Sequence, residues 1–225
     1  MQKKSYAKVN EYIWDKVYNG ELKLGDRLPP EREFAKILDI SRNSVREGLR
    51  VLENVGVVSS QQGAGNFISA EFEETLTEIM AFMYILNGMK DSEITEFRYA
   101  LEWKAINLIT GKISDDIKED LLYYVEKLEQ TESKEEAVIY DTNIHYLLIE
   151  ATNNDYIKTN YRALNKIMNI YIPRLREKII VGMKGDKELS NAHRLLVEGV
   201  IEGDIKKSMR GLEQHFQYVI EYQNR

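Results

Sequence analysis

Residues 25–56 read GDRLPPEREFAKILDISRNSVREGLRVLENVG, and this stretch decides the fold of the N-terminal part of the chain. Its two consecutive prolines mark a helix start, because the N–H that proline lacks has no partner in the first turn of a helix anyway. That helix is predicted over about 31–38. A tight turn follows, in which Ser41 can cap the next helix, and that helix extends to about Asn54. The stretch therefore predicts two helices joined by a short turn.

The residues on either side complete a small domain. A first helix is predicted over 5–19 from the three-to-four spacing of its apolar positions. After Gly56, two short apolar segments flank the turn Gly63-Ala64-Gly65, which is typical of a β-hairpin. Three helices followed by a hairpin form a winged helix-turn-helix, in which the hairpin is the wing.

Beyond residue 70 the sequence has helical periodicity and no strand signal. Glycines and an Asn-Asn pair divide it into predicted helices at about 72–88, 92–109, 115–130, 134–152, 156–180, 186–202 and 204–222. The expected fold class is mainly α. It consists of an N-terminal winged helix-turn-helix over 1–70, with a small β-hairpin wing, and a C-terminal all-α helical bundle over 71–225.

Charge and composition divide the chain and limit its function. The net charge of −6 disfavours nucleic acid as a partner, yet residues 1–69 hold 11 Lys and Arg against 9 Asp and Glu, a net charge of +2, and the remainder carries −8.

Cysteine is absent, which excludes disulfides, zinc–thiolate sites and cysteine nucleophiles. The longest apolar run, 79–86, is far shorter than the ~20 residues that cross a bilayer. With no signal-peptide pattern at the start, we expect a cytoplasmic protein without a membrane partner.

The start of the third helix carries residue types that contact DNA. In a helix-turn-helix the second helix of the motif enters the major groove, and its N-terminal residues reach base edges. Arg42 and Arg46 are four residues apart and lie off the apolar face, so they are free to bind guanine or phosphate. Asn43 and Ser44 suit phosphate oxygens. This helix is therefore the predicted recognition helix.

Further DNA contacts are predicted outside that helix. Arg32, near the start of the preceding helix, would lie close to the DNA backbone. Gln62 and Gly63 form the wing tip, where glycine can approach the minor groove without a clash. The alternative is an ordinary solvated face, in which Arg42, Arg46 and Arg50 pair with nearby glutamates: Glu31, Glu47 or Glu53.

The motif within 25–56 closely resembles the DNA-binding domain of GntR-type bacterial transcription regulators, and the match covers about 5–69. The resemblance implies operator contacts by residues already singled out: Arg32, Arg42, Arg46 and the wing tip Gln62-Gly63. One departure is Gly48, where alanine is usual in the family. Glycine inside a helix costs about 1 kcal/mol relative to alanine, so the sequence predicts a small loss of stability here.

All three histidines lie in the acidic C-terminal part. Asp141 precedes His145 by four residues, so on a helix the two share a face and can chelate one ion. His193 and His215 each lie eleven residues from Asp204, so an antiparallel helical hairpin brings them to the same height. One aspartate and three histidines from three helices would form a metal site within the bundle.

Two questions about this site stay open at the level of residues. The alternative to a metal site is a surface Asp–His pair and two histidines satisfied within the core. If a metal is bound, neutral imidazoles and one carboxylate suit Zn, Ni, Co or Mn, and the residues do not choose among them.

The C-terminal part looks like the FCD ligand domain of the FadR subfamily of these regulators, over about 72–222. The resemblance implies that the aspartate and the three histidines bind a divalent metal, often Zn or Ni, and that Arg98 lies near an effector pocket. A metal beside an arginine suits a small carboxylate effector. The alternative for Arg98 is an ion pair with Glu102, one helical turn away.

We therefore expect a dimeric DNA-binding transcription regulator, specifically a repressor, with no catalytic residues and no enzymatic activity. Its expected partners are double-stranded palindromic operator DNA, a small carboxylate that changes operator affinity, and a second copy of the chain. The alternatives are a metal-dependent hydrolase and a regulator whose ligand domain binds no metal.

Overall fold

The computed structural model describes residues 6–170 and 187–223. The chain divides into two compact units, Met1–Leu76 and Thr77–Arg225. Within the described ranges no helix has the length and apolar character that crossing a membrane requires.

The N-terminal unit has the predicted order of three helices and a hairpin. The elements are α1 (Ala7–Tyr18), α2 (Glu31–Leu38), α3 (Arg42–Asn54), β1 (Val58–Gln61) and β2 (Gly65–Ile68). The two strands are antiparallel, and Gln61 pairs with Gly65, so residues 62–64 form the tip of the wing. The winged helix-turn-helix is therefore confirmed.

Local chemistry fixes the turn between α2 and α3. Asp39 ends α2 in the left-handed conformation, with φ +49°. Ser41 caps α3, because its Oγ accepts a hydrogen bond from the Ser44 N–H at 3.1 Å. The buried core of this unit includes Val9, Ile13, Leu28, Phe34, Val45, Leu49, Leu52, Val58 and Ile68.

Gly48 has a packing role that the sequence did not predict. A Cβ at this position would lie 2.7 Å from the Val9 Cβ and 2.9 Å from the Tyr6 carbonyl oxygen. Glycine thus lets α1 pack directly on the α3 backbone. The prediction that alanine would be the more stable residue here is wrong, since overpacking typically costs about 1–3 kcal/mol, more than the gain in helix propensity.

All the regular secondary structure within the described residues of the C-terminal unit is helical, which confirms the predicted fold class. Its helices, including one that begins just before the unit, are α4 (Glu73–Asn87), α5 (Asp91–Ile109), α6 (Asp115–Gln130), α7 (Lys134–Glu150), α8 (Asp155–Ile170), α9 (Lys187–Glu202) and α10 (Ile205–Gln223). The predicted continuation of α8 to residue 180 lies outside the described residues. The main core includes Ile106, Leu121, Val125, Ile144, Leu148, Leu196, Val200, Leu212 and Phe216.

Helices α9 and α10 form a tightly packed antiparallel hairpin. Gly203, with φ +80°, ends α9, and the Asp204 carboxylate accepts two N–H groups in the first turn of α10. A Cβ on Gly211 would lie 2.3 Å from the Leu196 backbone nitrogen, and a Cβ on Gly199 would lie 2.3 Å from the Ser208 backbone nitrogen. The two glycines therefore permit the close helix approach that places residues of α9 opposite residues of α10.

Candidate metal centre and DNA-binding surface

Four polar side chains of the C-terminal unit converge on one point. The Asp141 Oδ1 lies 2.9 Å from the His193 Nε2 and 3.6 Å from the Nε2 of both His145 and His215. The Nε2 atoms of His145 and His215 are 3.2 Å apart. One potential ligand atom from each of the four residues lies within 4.8 Å of all the others.

Three helices bring these side chains together. Asp141 and His145 lie one turn apart on α7, as their spacing of four predicts. His193 on α9 and His215 on α10 face each other with ring centroids 4.6 Å apart, which is the arrangement expected from their equal distance to Asp204. The three imidazoles are buried, and the Asp141 side chain is 15% exposed.

The protonation states of Asp141 and His215 suit a cation. Burial raises the pKa of Asp141, but its contacts with the three histidines outweigh burial and hold the pKa well below its ordinary value. Burial lowers the pKa of His215 to about 3, and the neighbouring His145 adds to this effect. Asp141 is therefore an anion and His215 is neutral at pH 7, which are the states in which they bind a metal.

The spacing of the donors also fits a divalent transition metal. Nitrogen and oxygen ligands lie about 2.0–2.2 Å from Zn, so neighbouring ligands are roughly 3–3.5 Å apart. Four of the six separations between the ligand atoms of the cluster are 2.9, 3.2, 3.6 and 3.6 Å, and all six are within 4.8 Å. Imidazole nitrogen with one carboxylate is a donor set for Zn, Ni, Co or Mn. The residues present thus fit such an ion.

The outward-facing nitrogens of the three imidazoles differ in their partners. The His145 Nδ1 lies 2.6 Å from the Glu102 Oε2, and the His193 Nδ1 lies 3.0 Å from the Leu189 carbonyl oxygen. Both contacts direct Nε2 toward the cluster. The His215 Nδ1 is buried and has no hydrogen-bond partner among the described residues.

Arg98 lies beside this cluster and is almost fully buried. Its Nε donates to the Glu102 Oε1 at 2.7 Å, so the ion pair considered as an alternative from sequence is present. Burial lowers the pKa of Arg98, but Tyr161, Glu102 and Asp141 together raise it above its ordinary value. The guanidinium is therefore a buried positive charge within electrostatic reach of Asp141.

On the N-terminal unit, the start of α3 presents two arginines to solvent. The side chains of Arg42 and Arg46 are 60% and 57% exposed. Arg46 donates to both carboxylate oxygens of Glu31, from Nε at 3.2 Å and from Nη2 at 3.0 Å, and the Arg42 Nη2 lies 4.0 Å from the same carboxylate. Arg46 thus has the glutamate partner that the alternative from sequence proposed, yet both arginines stay accessible.

The other predicted DNA contacts lie around this point. Arg32, Asn43 and Gln62 are exposed, whereas Ser44 is half-buried and engaged in the cap of α3. Gly63 has φ +76° and open space where a Cβ would be. A cleft between α2, the start of α3 and the wing is lined by Arg27, Leu28, Pro30, Glu31, Arg32, Arg42, Gly65 and Asn66.

Arg27 is a basic residue of this cleft that the sequence reasoning missed. Its position in sequence, two residues before the prolines that start α2, was the one feature that could have indicated a place near Arg32. In the structure the backbone of Arg27 forms an isolated antiparallel β-bridge with Phe67 of the wing. The Arg27 Nε would lie 3.3 Å from a Cβ on Gly65. Arg27 is therefore positioned with Arg32 and Arg42 on the same surface.

Comparison with known families supports both halves of this description. The family "Bacterial regulatory proteins, gntR family" matches residues 5–68, and the FCD domain matches residues 93–218. The chain belongs to the GntR family and carries an FCD domain. The members and relatives of this family are transcription regulators and not enzymes, which confirms the prediction that the chain is not an enzyme.

Several GntR-family relatives match most of the chain. The putative L-lactate dehydrogenase operon regulatory protein of Escherichia coli is 26% identical over 88% of this chain and 78% of its own length. The transcriptional regulator LutR of Bacillus subtilis is 26% identical over 72% of this chain and 73% of its own length. The solved structure titled "Streptococcus agalactiae GntR" covers 96% of this chain and 99% of its own, with a TM-score of 0.61 and 19% identity, which supports the fold.

Proposed function

We propose that this GntR-family protein represses transcription by binding a palindromic operator as a homodimer, and that a small carboxylate bound beside a divalent metal changes its operator affinity. The observation that carries the proposal is the buried cluster of Asp141, His145, His193 and His215 with the positive charge of Arg98 next to it. Buried polar groups of this density are rare unless they hold a ligand or serve a function.

The chemistry of the cluster favours a carboxylate as the effector. Four protein ligands leave open positions on a five- or six-coordinate ion, and the metal would supply a Lewis-acid contact for a carboxylate oxygen. Arg98 adds a charge-assisted donor of the kind that recognises carboxylates. The name of one relative refers to the operon of L-lactate dehydrogenase, whose substrate is a small hydroxycarboxylate, and we propose an effector of that chemical class.

The metal itself is proposed to be Zn or Ni, with Co or Mn as further candidates. Three imidazoles bind each of these ions well, and a single carboxylate does not exclude any of them. The FCD domain supports placing the chain in the FadR subfamily.

On the operator, we propose contacts by Arg42 and Arg46 to one major groove and by Asn43 and Ser44 to phosphate oxygens. Arg32 would contact the DNA backbone, and Gln62 and Gly63 the minor groove. The exposure of these arginines and the net charge of +2 over residues 1–69 support the assignment. Because a bacterial operator lies on the chromosome, we propose that the protein acts in the cytoplasm.

A second copy of the chain is supported by the apolar character of α4. On this helix Ile79, Phe82 and Leu86 are 51%, 62% and 77% exposed, although α4 also packs Ala81 into a core cluster. Contiguous apolar side chains that stay exposed in a monomer mark interaction surfaces. A dimer that covers this face would also give the two-fold symmetry that a palindromic operator requires.

Selection of bound duplexes from a random DNA library tests the regulatory proposal. We expect enrichment of a palindrome whose half-sites lie about one helical turn apart, which is the spacing of two recognition helices in a dimer. Sedimentation velocity of the same sample should give the mass of two chains. Failure to enrich any sequence from a sample that is folded and carries metal would contradict the proposal.

A further inference from the structure

Glu102 is a fully buried carboxylate that contacts three different side chains. Its Oε2 lies 2.6 Å from the His145 Nδ1. Its Oε1 accepts hydrogen bonds from the Arg98 Nε at 2.7 Å and from the Tyr161 hydroxyl at 3.0 Å. The residue has no exposed surface. Glu102 therefore connects α5, α7 and α8 through one side chain.

The contact with His145 determines which nitrogen of that imidazole is free. The Glu102 carboxylate acts as an acceptor, because its Oε1 already accepts from Arg98 and Tyr161. Its Oε2, 2.6 Å away, therefore accepts the proton of the His145 Nδ1. Nε2, which faces Asp141 and His215, is thereby left with its lone pair available for a cation.

The contacts at the other oxygen hold the carboxylate in place. Tyr161 is 1% exposed and donates from α8, and Arg98 donates from one turn earlier on the same helix as Glu102. With one oxygen fixed from two directions, the plane of the carboxylate is set, and so is the orientation of the imidazole that binds its second oxygen. The same contacts orient the Arg98 guanidinium.

We propose that Glu102 is a positioning residue that sets the affinity of the metal site through His145 and holds Arg98 beside it. This inference rests on the proposed metal site. A carboxylate behind a metal-binding histidine fixes its tautomer and ring orientation and increases its basicity, and loss of such a residue typically lowers metal affinity about 10–100-fold. Glu102 is not one of the four candidate metal ligands, so the ligand set alone does not indicate this role.

Metal affinity of the Glu102→Gln protein tests the proposal. We expect its Zn affinity, measured by competition with a chromophoric chelator, to fall about 10–100-fold, because glutamine is a neutral and weaker acceptor for the His145 Nδ1–H. Glu150→Gln is the matched control, since it makes the same change in a carboxylate that pairs with another arginine, Arg162, and is not part of the cluster. We expect it to lower Zn affinity less than about threefold.

A measurement on the wild-type protein keeps the proposal testable if Glu102→Gln fails to fold around the unpaired Arg98. Nitrogen-15 NMR of the Zn-loaded protein resolves ring nitrogens of only three histidines. We expect His145 to carry its proton on Nδ1, with the low-field proton shift of a strong bond to a carboxylate. A Zn affinity of Glu102→Gln within threefold of wild type, or a His145 proton on Nε2, overturns the role of Glu102. Wild-type protein that binds no Zn would instead overturn the proposed metal site.

Discussion

The Asp141→Asn protein is expected to lose stoichiometric metal binding while it keeps its fold. Asp141 is the single anionic member of the cluster, and its Oδ1 lies within 3.6 Å of all three Nε2 atoms. Asparagine has nearly the same shape but offers only a neutral carbonyl oxygen. We expect affinity for Zn or Ni to fall at least about 100-fold, which exceeds the typical effect of losing an outer residue that only supports a ligand.

Thermal unfolding provides the second readout for this substitution. A metal present at about 1,000 times its Kd stabilises the folded state by about 4 kcal/mol, which for a chain of this size raises Tm by roughly 10 °C. We expect that rise for the wild type and little rise for Asp141→Asn. Asp115→Asn is the matched control, because Asp115 is an exposed aspartate on α6 that contacts Lys118.

Elemental analysis after chelation and dialysis decides between the alternatives. If Asp141→Asn held as much metal as the wild type, the ligand assignment would be wrong. If the wild type held none and gained no stability from Zn or Ni, the C-terminal unit would be a ligand domain that binds no metal.

The double substitution Arg42→Ala/Arg46→Ala is expected to have the other large effect, on operator binding. Both guanidinium groups are exposed at the start of α3, and Arg46 would exchange its bonds with Glu31 for bonds to DNA. One bidentate arginine–guanine pair contributes about 1–3 kcal/mol, so we expect operator affinity to fall about 100-fold or more when both are lost. The slope of log Kd against log salt concentration should fall by roughly 1–2.

Fluorescence anisotropy with a labelled operator measures both quantities. Arg210→Ala is a suitable control, since Arg210 is exposed on α10 in the C-terminal unit and its loss removes one positive charge from the chain. Unchanged operator affinity and salt dependence in the double variant would show that α3 is not the recognition helix.

Much of the fold follows from the sequence because glycine and proline mark the ends of its helices. The prolines before residue 31 and the glycine at position 203 predicted the limits of α2 and of the α9–α10 hairpin to within a residue or two. Apolar spacing was less reliable in α1, where Val9 and Ile13 are buried but Val17 is 43% exposed. A small helix buries only part of its apolar surface, and periodicity does not say which part.

The inner cluster was predictable because its residues are rare types at regular spacings. A spacing of four residues places two side chains on the same face of a helix. Equal spacings of eleven residues on either side of a hairpin turn place two side chains at the same height. The contacts of Glu102 with His145 and Tyr161 were not predictable, because these residues lie 43 and 59 positions from it in sequence and on other helices. Their meeting depends on how α5, α7 and α8 pack, which periodicity does not encode.

Gly48 shows the same limitation for stability. Helix propensity treats this glycine as a defect of α3. In the structure the absent Cβ is the space that Val9 and the Tyr6 carbonyl occupy. Helix propensity describes the stability of an isolated helix, whereas the residue type that fits at position 48 depends on how closely α1 packs against α3.

The most direct test of the regulatory account is the operator affinity of metal-free and metal-loaded protein, with and without a small hydroxycarboxylate such as L-lactate. We expect the carboxylate to change the operator Kd at least about fivefold in the metal-loaded protein, a typical size for coupling between two sites, and to have little effect on the metal-free protein. The same Kd in all four conditions, across a panel of small carboxylates, would contradict it.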